Sequence, residues 1–173
     1  MDTEHVIETF DLSSWASPVA DSLSQKALTA LESGKVLYFP KLDFPLDAHE
    51  TRFLDPRWSD PKSKNISFSQ TTGLLKGALG NPQDQAGLAR MLSRYASFST
   101  TLLRALFPQY GDNLKLARTS FRPAEVNRRA LSPRKDDSRL HVDAFPASPT
   151  GGNRILRVFT NVHPNGKARV WRL

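Results

Sequence analysis

A long stretch of helical periodicity in the middle of the chain constrains the fold most. Between residues 83 and 106, apolar residues recur at intervals of three and four, which places them on one face of an α-helix. The members of this face are Leu88, Met91, Leu92, Tyr95, Phe98, Leu102, Leu103 and Leu106. Asn81-Pro82 is a typical helix start, and Phe107-Pro108 ends the pattern. We therefore predict a long helix over residues 83–106 that buries this face against a second layer.

The segment before this helix predicts one more helix and one strand. Residues 19–33 show helical spacing of Leu and Ala, and Gly34 follows as a helix-ending residue. Residues 35–39 form an apolar run that predicts a short buried strand, which Pro40 closes. Residues 41–64 are rich in Asp, Pro and Ser with scattered aromatic residues, and they predict a long, packed loop.

After Asn113 the period changes from helical to two. Arg118, Ser120 and Arg122 share one face of the predicted strand, while Thr119 and Phe121 share the other. Residues 123–139 predict a loop, residues 154–162 predict a second strand, and a third begins near residue 168. Helices thus precede strands, which indicates an α+β fold. We expect one continuous domain with a supporting region at 1–112, a sheet region at 113–173, and a sheet that continues beyond the end of this chain.

Composition excludes several classes of protein and localises the charge. The chain has no cysteine, so a disulfide framework and a thiol nucleophile are excluded. It shows neither a signal sequence nor an apolar run long enough to span a membrane, and we expect a cytosolic protein. Of the net charge of +7, residues 115–139 carry eight Lys/Arg against three acids, and residues 154–172 carry five against none. This field favours anionic partners, and charge alone leaves a nucleic acid, a solvated face and an anionic small molecule or lipid open.

His141 and Asp143 are the candidate metal ligands. Their spacing of two places both side chains on the same face of a strand. Imidazole and carboxylate together make two of the three ligands of the facial triad of non-haem iron(II) oxygenases. As a bare pattern, His-x-Asp occurs by chance in many proteins, and the spacing alone favours a hydrogen-bonded surface histidine over a metal ligand.

The sequence around these residues resembles the Kdo hydroxylase family of iron(II)- and 2-oxoglutarate-dependent dioxygenases. The resemblance is carried by residues 141–146 (HVDAFP), Pro149-Thr150, residues 154–162 (RILRVFTNV) and residues 169–172 (RVWR). Residues 30–40 (ALESGKVLYFP) and 117–123 (ARTSFRP) extend it over nearly the whole chain. This family is similar in outline to the phytanoyl-CoA hydroxylase-type enzymes. The resemblance implies a double-stranded β-helix (jelly-roll) core with N-terminal helices packed on it, incomplete at the C-terminal end.

The resemblance also implies an activity, which is hydroxylation of Kdo (3-deoxy-D-manno-oct-2-ulosonic acid) at carbon 3 in Kdo-lipid A. The cofactor would be Fe(II), held by His141, Asp143 and a more distant His, with 2-oxoglutarate and O2 as cosubstrates. An Arg would pair with the far carboxylate of 2-oxoglutarate, because a guanidinium binds a carboxylate through two hydrogen bonds. The partner would be a Kdo-containing lipid A precursor at the cytosolic face of the inner membrane of a Gram-negative bacterium, without nucleic acid.

The sequence departs from the family pattern at the third iron ligand. The only histidine after His141 is His163, which precedes Pro164-Asn165-Gly166 and is expected to be a turn residue. The sequence therefore supplies two of the three triad ligands and no recognisable Arg for 2-oxoglutarate. We expect weak iron binding and no turnover if the polypeptide ends at Leu173. The alternative is an inactive jelly-roll fragment or pseudoenzyme. A basic nucleic-acid-binding domain is disfavoured, because it gives His-x-Asp and the apolar strands no role.

Two further sets of polar residues are candidates for ligand contacts. Arg118, Ser120 and Arg122 are predicted to bind substrate, and Arg157 and Asn161 are predicted to bind the cosubstrate. Alternation cannot say which face of a strand lies inside, so both sets are equally consistent with an outer, solvated face. Contact with phosphates or an anionic membrane surface, or solubility alone, is an equally open role for six basic residues, namely Lys62, Lys64, Arg128, Arg129, Arg134 and Lys135.

Overall fold

The computed structural model describes residues 6–63, 65–123 and 149–168 of the chain. Its contacts divide the chain into two compact units, Met1–Pro123 and Ala124–Leu173. All helices and paired strands of the described residues belong to the first unit. They are β1 (Ile7–Thr9), α1 (Asp21–Glu32), β2 (Val36–Tyr38), β3 (Ile66–Phe68), β4 (Leu75–Lys76), α2 (Pro82–Leu106) and β5 (Thr119–Phe121). The mixture of helices and sheets confirms the α+β class.

Helix α2 is the element on which the first unit is built, and it confirms the predicted helix. The Asn81 side chain accepts a hydrogen bond of 2.9 Å from the amide of Asp84, and Pro82 occupies the first turn, where its missing N–H costs nothing. Of the predicted apolar face, five members are fully buried, namely Leu88, Met91, Leu92, Leu102 and Leu106. Tyr95 and Phe98 are half-buried. They pack with Trp15 and Phe44 in an aromatic cluster whose ring centroids lie 5.2–5.9 Å apart.

Helix α1 packs against α2 and β2, and it confirms the helix predicted at 19–33. Gly34 follows its C-cap with φ of 86°, a left-handed conformation that glycine adopts without strain. The buried Ser24 hydroxyl donates a hydrogen bond of 2.8 Å to the carbonyl of Leu106. This bond satisfies one of the carbonyls that the end of α2 leaves without a helical partner, and it fixes α1 at that end of α2.

The predicted strand at 35–39 exists, but the prediction that it is buried is wrong. Strand β2 pairs in parallel with β1, in the register Ile7↔Val36 and Thr9↔Tyr38. Val36 is 57% exposed and Tyr38 is 54% exposed, whereas Leu37 on the other face is half-buried. Helix α1 packs on this two-stranded sheet, and the apolar character of β2 therefore did not reveal which side would be covered.

A salt-bridge cluster at Glu8 ties β1 to α1 and to the start of β2. The Glu8 carboxylate lies 2.8 Å from Lys26 Nζ and 3.0 Å from Lys35 Nζ. The hydrogen bond from Lys26, followed by that from Lys35, lowers the pKa of Glu8 from its ordinary 4.5 to about 2. The cluster therefore stabilises the fold only while Glu8 is ionised.

This cluster gives a pH-dependent prediction. A carboxyl group whose pKa is lower in the folded state contributes stability above its unfolded pKa and loses it as the pH falls through its folded pKa. The contribution of Glu8 should be complete above pH 4.5 and disappear between pH 4.5 and about pH 2. Glu8→Gln should lower Tm at neutral pH, more so at low salt, and the difference from wild type should vanish toward pH 2. A difference between Tm values that stays constant from pH 6 to pH 2 would contradict this assignment.

The second sheet is antiparallel and has the order β4-β3-β5. Ile66, Phe68 and Phe121 are buried on one face of it, where α2 packs against β3 and β5. Strand β5 confirms the predicted alternation but is shorter than predicted, because only residues 119–121 find partners in the three-residue β3. The predicted loop at 41–64 is packed, with Leu42, Phe44 and Phe53 buried, and it contains the 3-10 helices Thr51–Leu54 and Pro56–Trp58.

Gly77 ends β4 in a conformation and a space that require glycine. Its φ is 72°, and a Cβ atom built there would collide with the backbone oxygen of Asn65. Gly73, in the turn before β4, has a similar φ of 68° but no heavy atom within 4 Å of such a Cβ. The two glycines thus share the backbone constraint, and only Gly77 adds a close approach.

Replacing each glycine by alanine separates these two effects. Gly73→Ala should cost about 1 kcal/mol, because alanine adopts positive φ only with strain. Gly77→Ala should cost about 2–4 kcal/mol, because the new methyl group must also displace the backbone at Asn65. Urea unfolding of both variants measures the difference. Equal losses of stability would show that the close approach at Gly77 contributes nothing.

Residues 154–162, where a second strand was predicted, lie in the second unit and form no helix or paired strand among the described residues. Their exposure nevertheless alternates as a strand pattern requires. Ile155, Arg157, Phe159 and Asn161 are exposed, and Leu156, Val158, Thr160 and Val162 are half-buried. The two faces predicted from the sequence are therefore distinct, although the predicted pairing is not seen in these residues. The third strand predicted near residue 168 lies largely outside the described residues.

Among the helices of the described residues, none combines the length and the apolar composition that a membrane-spanning segment requires.

Candidate functional site

The structure brings the predicted substrate residues together with two that the sequence analysis did not select. In the antiparallel sheet, Ser67 of β3 lies directly between Ser120 of β5 and Lys76 of β4. Residues that oppose each other in adjacent strands point to the same face, so these three form one row across the sheet. Arg118 and Arg122 lie two positions to either side of Ser120 and are exposed. We call these five residues, Lys76, Ser67, Ser120, Arg118 and Arg122, the cationic face.

The hydrophobic side of the same sheet determines which way the cationic face points. Phe121 and Ile66 oppose each other and are 7% and 0% exposed, and Phe68 beside them is 6% exposed. Because side chains alternate along a strand, the burial of these rings against α2 turns Ser67 and Ser120 to the opposite side. The sequence left open which face of the strand is covered. Within the first unit, Arg118, Ser120 and Arg122 lie on the exposed face.

A hairpin pattern in the sequence could have indicated that Ser67 and Lys76 lie side by side. Strands β3 and β4 are joined by a short connection that contains Gly73, and this is a common hairpin pattern. Backbone hydrogen bonds of 2.8 Å from Gly73 N to Ser69 O and 3.0 Å from Ser69 N to Leu74 O close it. The strands of three and two residues are short for a sequence-based assignment, and the pairing of β3 with β5 spans about fifty residues of chain.

Asn161 and His163 of the second unit belong to one turn. The Asn161 side chain donates a hydrogen bond of 2.9 Å to the carbonyl of Lys167 and accepts one of 3.1 Å from the amide of His163. His163 Nδ1 accepts a hydrogen bond of 3.2 Å from the amide of Asn165, and Gly166 N donates to His163 O at 2.9 Å. This geometry agrees with the expectation of a turn at His163. It also shows that the Asn161 side-chain amide stabilises this turn.

The remaining predicted site residues divide into two groups. Arg157 lies on the exposed side of the 154–162 segment, beside Phe159, which is 68% exposed. The predicted iron ligands His141 and Asp143 lie outside the described residues, as do Lys64, Arg128, Arg129, Arg134 and Lys135. Within the described parts of the chain, no group of three or more His, Asp or Glu side chains is arranged to hold a metal ion.

Comparison with known proteins defines the class of this chain. The model of the 3-deoxy-D-manno-oct-2-ulosonic acid (Kdo) hydroxylase family matches residues 14–173. No curated protein matches the chain. Because the family model covers nearly all of the sequence, the chain belongs to the Kdo hydroxylase family.

Solved structures of the Kdo hydroxylase KdoO, a non-heme Fe(II) alphaketoglutarate dependent dioxygenase, are similar to this chain. The complex with alphaketoglutarate and Fe(III) is 52% identical, with a TM-score of 0.88, and the match covers 94% of this chain and 54% of that one. The complex with cobalt(II) is 53% identical, with a TM-score of 0.88, and the match covers 93% of this chain and 54% of that one. The apo structure is 53% identical, with a TM-score of 0.88, and the match covers 94% of this chain and 54% of that one. The chain thus spans about half the length of these structures, and the resemblance stated from the sequence is confirmed.

Proposed function

We propose that this chain is part of an iron(II)- and 2-oxoglutarate-dependent hydroxylase that acts on Kdo at carbon 3 in Kdo-lipid A. The observation that carries the proposal is the 52% identity to KdoO, extending over 94% of the chain, in a structure that holds alphaketoglutarate and Fe(III). A further KdoO structure holds succinate and Fe(III), and succinate is what 2-oxoglutarate becomes in such a reaction.

His141 and Asp143 are the residues proposed to hold the iron. A neutral imidazole and a carboxylate suit Fe(II), and two such donors leave coordination positions open. Bound iron with 2-oxoglutarate and O2 supplies the oxidising power that replaces a C–H bond by C–OH, while 2-oxoglutarate is converted to succinate and carbon dioxide. The third iron ligand, and the double-stranded β-helix core that the family resemblance implies, are proposed to be completed by sequence corresponding to the rest of the longer KdoO chain.

Five of the chain's own described residues are assigned roles in this proposal. Arg118, Ser120 and Arg122 are proposed to bind the acidic sugar, since a guanidinium and a hydroxyl both hydrogen-bond a carboxylate. Arg157 and Asn161 are proposed to contact 2-oxoglutarate, with Asn161 positioning the 161–167 turn through the two hydrogen bonds of its side chain. The supporting region at 1–112 and the core region at 113–173 are proposed as parts of one domain. The enzyme is proposed to act at the cytosolic face of the inner membrane.

The experiment that tests the proposal follows the product. Kdo-lipid A is incubated with Fe(II), 2-oxoglutarate, O2 and a polypeptide that contains both this chain and the sequence proposed to complete the iron site. The lipid is analysed by mass spectrometry, and formation of succinate is measured in parallel. The proposal expects a gain of one oxygen atom on the Kdo unit, at carbon 3, with an equal amount of succinate formed. Succinate formed at the same rate without Kdo-lipid A, and unmodified lipid after full conversion of 2-oxoglutarate, would contradict it.

A further inference from the structure

The segments that form the three-stranded sheet contain basic residues and no acidic residue. Residues 65–80 and 113–123, which contain β3, β4 and β5 with their flanking turns, include no Asp or Glu. They include Lys76, Lys115, Arg118 and Arg122. Lys76 and Arg118 form no ion pair with any carboxylate of the described residues.

The spacing of the cationic face suits a small anion with several oxygen atoms. Adjacent strands lie about 4.8 Å apart, so Lys76 and Ser120 are separated by about 10 Å, with the Ser67 hydroxyl between them. Arg118 and Arg122 each lie about 7 Å from Ser120 along the strand. Lysine and arginine side chains are long enough to bend across such distances, so their charged ends can reach an anion that lies over the two serine hydroxyls. Hydroxyl donors flanked by cations are the groups that bind a carboxylate.

We infer that Lys76 and Ser67 join Arg118, Ser120 and Arg122 in binding the carboxylate of the acidic sugar substrate. The identity of this anion rests on the proposed function, because Kdo is an ulosonic acid and carries one carboxylate per sugar. The cation on β4 gives this carboxylate a partner on the side opposite the two arginines. Lys76 is thus a specificity-determining residue, which distinguishes an acidic from a neutral sugar.

The burial behind the sheet keeps this arrangement in register. Ile66, Phe68 and Phe121 pack beneath the row, and Gly77 follows Lys76 at the close approach to Asn65. A shift of β4 by one residue would turn Lys76 to the buried face, where an unpaired ammonium is strongly disfavoured. The position of Lys76 beside Ser67 is therefore enforced by the fold of the first unit.

The test is a titration of free Kdo into the isotopically labelled chain, without iron or 2-oxoglutarate, followed by amide chemical shifts. The expected shifts lie at Ser67, Lys76 and Ser120. Lys76→Gln should raise the Kd about fivefold, the effect of removing one exposed charge from a binding site. Lys41→Gln is the matched control, because it removes the same charge from an exposed pair with Asp11 and should leave the Kd unchanged.

A second ligand isolates the carboxylate. The methyl ester of Kdo replaces the carboxylate by a neutral ester, and its weaker binding should not respond to Lys76→Gln. Equal effects of Lys76→Gln and Lys41→Gln on the Kd for Kdo would overturn the inference, as would an ester that binds as well as the acid or an absence of shifts on β3, β4 and β5. Because the titration contains no iron and no cosubstrate, its result is independent of whether hydroxylation is found.

Discussion

Asp143→Ala is expected to abolish formation of the iron(II)–2-oxoglutarate complex, and His141→Ala is expected to do the same. The two residues supply the imidazole and the carboxylate that the proposed site contributes from this chain. Loss of residues that merely orient metal ligands already costs about 10- to 100-fold in metal affinity, so the loss of a ligand itself should cost at least about 100-fold. The measurement is an anaerobic titration of Fe(II) and 2-oxoglutarate into the purified protein, followed by the weak visible charge-transfer band of the chelate.

His163→Ala is the matched control for this titration. In the structure, His163 Nδ1 already accepts a hydrogen bond from the amide of Asn165 within a turn, and the histidine is expected to serve that turn. The variant should therefore keep whatever band the wild type shows. A band that survives in both Asp143→Ala and His141→Ala would refute the proposed ligands, and a band lost in His163→Ala would identify His163 as a ligand.

Arg94→Ala should lower the free energy of unfolding by about 3 kcal/mol, the largest loss of stability expected from a single polar residue here. The Arg94 guanidinium pairs with the carboxylate of Glu50, whose side chain is only 10% exposed, and donates a hydrogen bond of 2.7 Å to the carbonyl of Pro45. It also lies 4.4 Å above the ring of Phe44. Removing the arginine leaves a buried carboxylate without its cation, which costs more than the pair itself contributes.

Arg90→Ala is the control, because Arg90 lies one turn earlier on α2, is exposed, and should change stability by less than about 0.5 kcal/mol. The double variant Arg94→Met with Glu50→Gln should recover part of the loss, since it removes the buried charge together with its partner. Denaturant unfolding measures the stability of the two single variants and the double variant. Unchanged m-values would show that the surface exposed on unfolding is the same in each. An Arg94→Ala variant as stable as Arg90→Ala would show that solvent reaches Glu50 freely.

The interaction of Arg94 with Glu50 also connects the long loop to the main helix. Glu50 Oε2 accepts a hydrogen bond of 3.1 Å from the amide of Asp47, so one carboxylate holds both α2 and the turn at residues 47–50. Phe53 follows in the 3-10 helix Thr51–Leu54 and is 2% exposed, packed closely against Gly87 of α2. These contacts explain why a segment rich in Asp, Pro and Ser forms an ordered part of the core.

The sequence by itself determined the elements whose cause is local. The three-to-four spacing of apolar residues specified α2, Asn81-Pro82 specified its start, and Gly34 specified the end of α1, because each depends on residues within one or two turns. The alternation around Ser120 was equally visible in the sequence. The family was recognisable from residues 141–172, since a run of specific side chains at fixed spacing identifies it without knowledge of the fold.

Only the tertiary structure decided which face of each strand is covered and what lies beside it. Arg118, Ser120 and Arg122 were equally consistent with either face until Phe121 was found against α2. Lys76 and Ser67 joined them only through pairing between strands separated by α2, and Val36 and Tyr38 proved exposed although their run is apolar. The physical reason is that a strand has no internal partner: its hydrogen bonds and its burial come from residues distant in the chain, which local periodicity does not record.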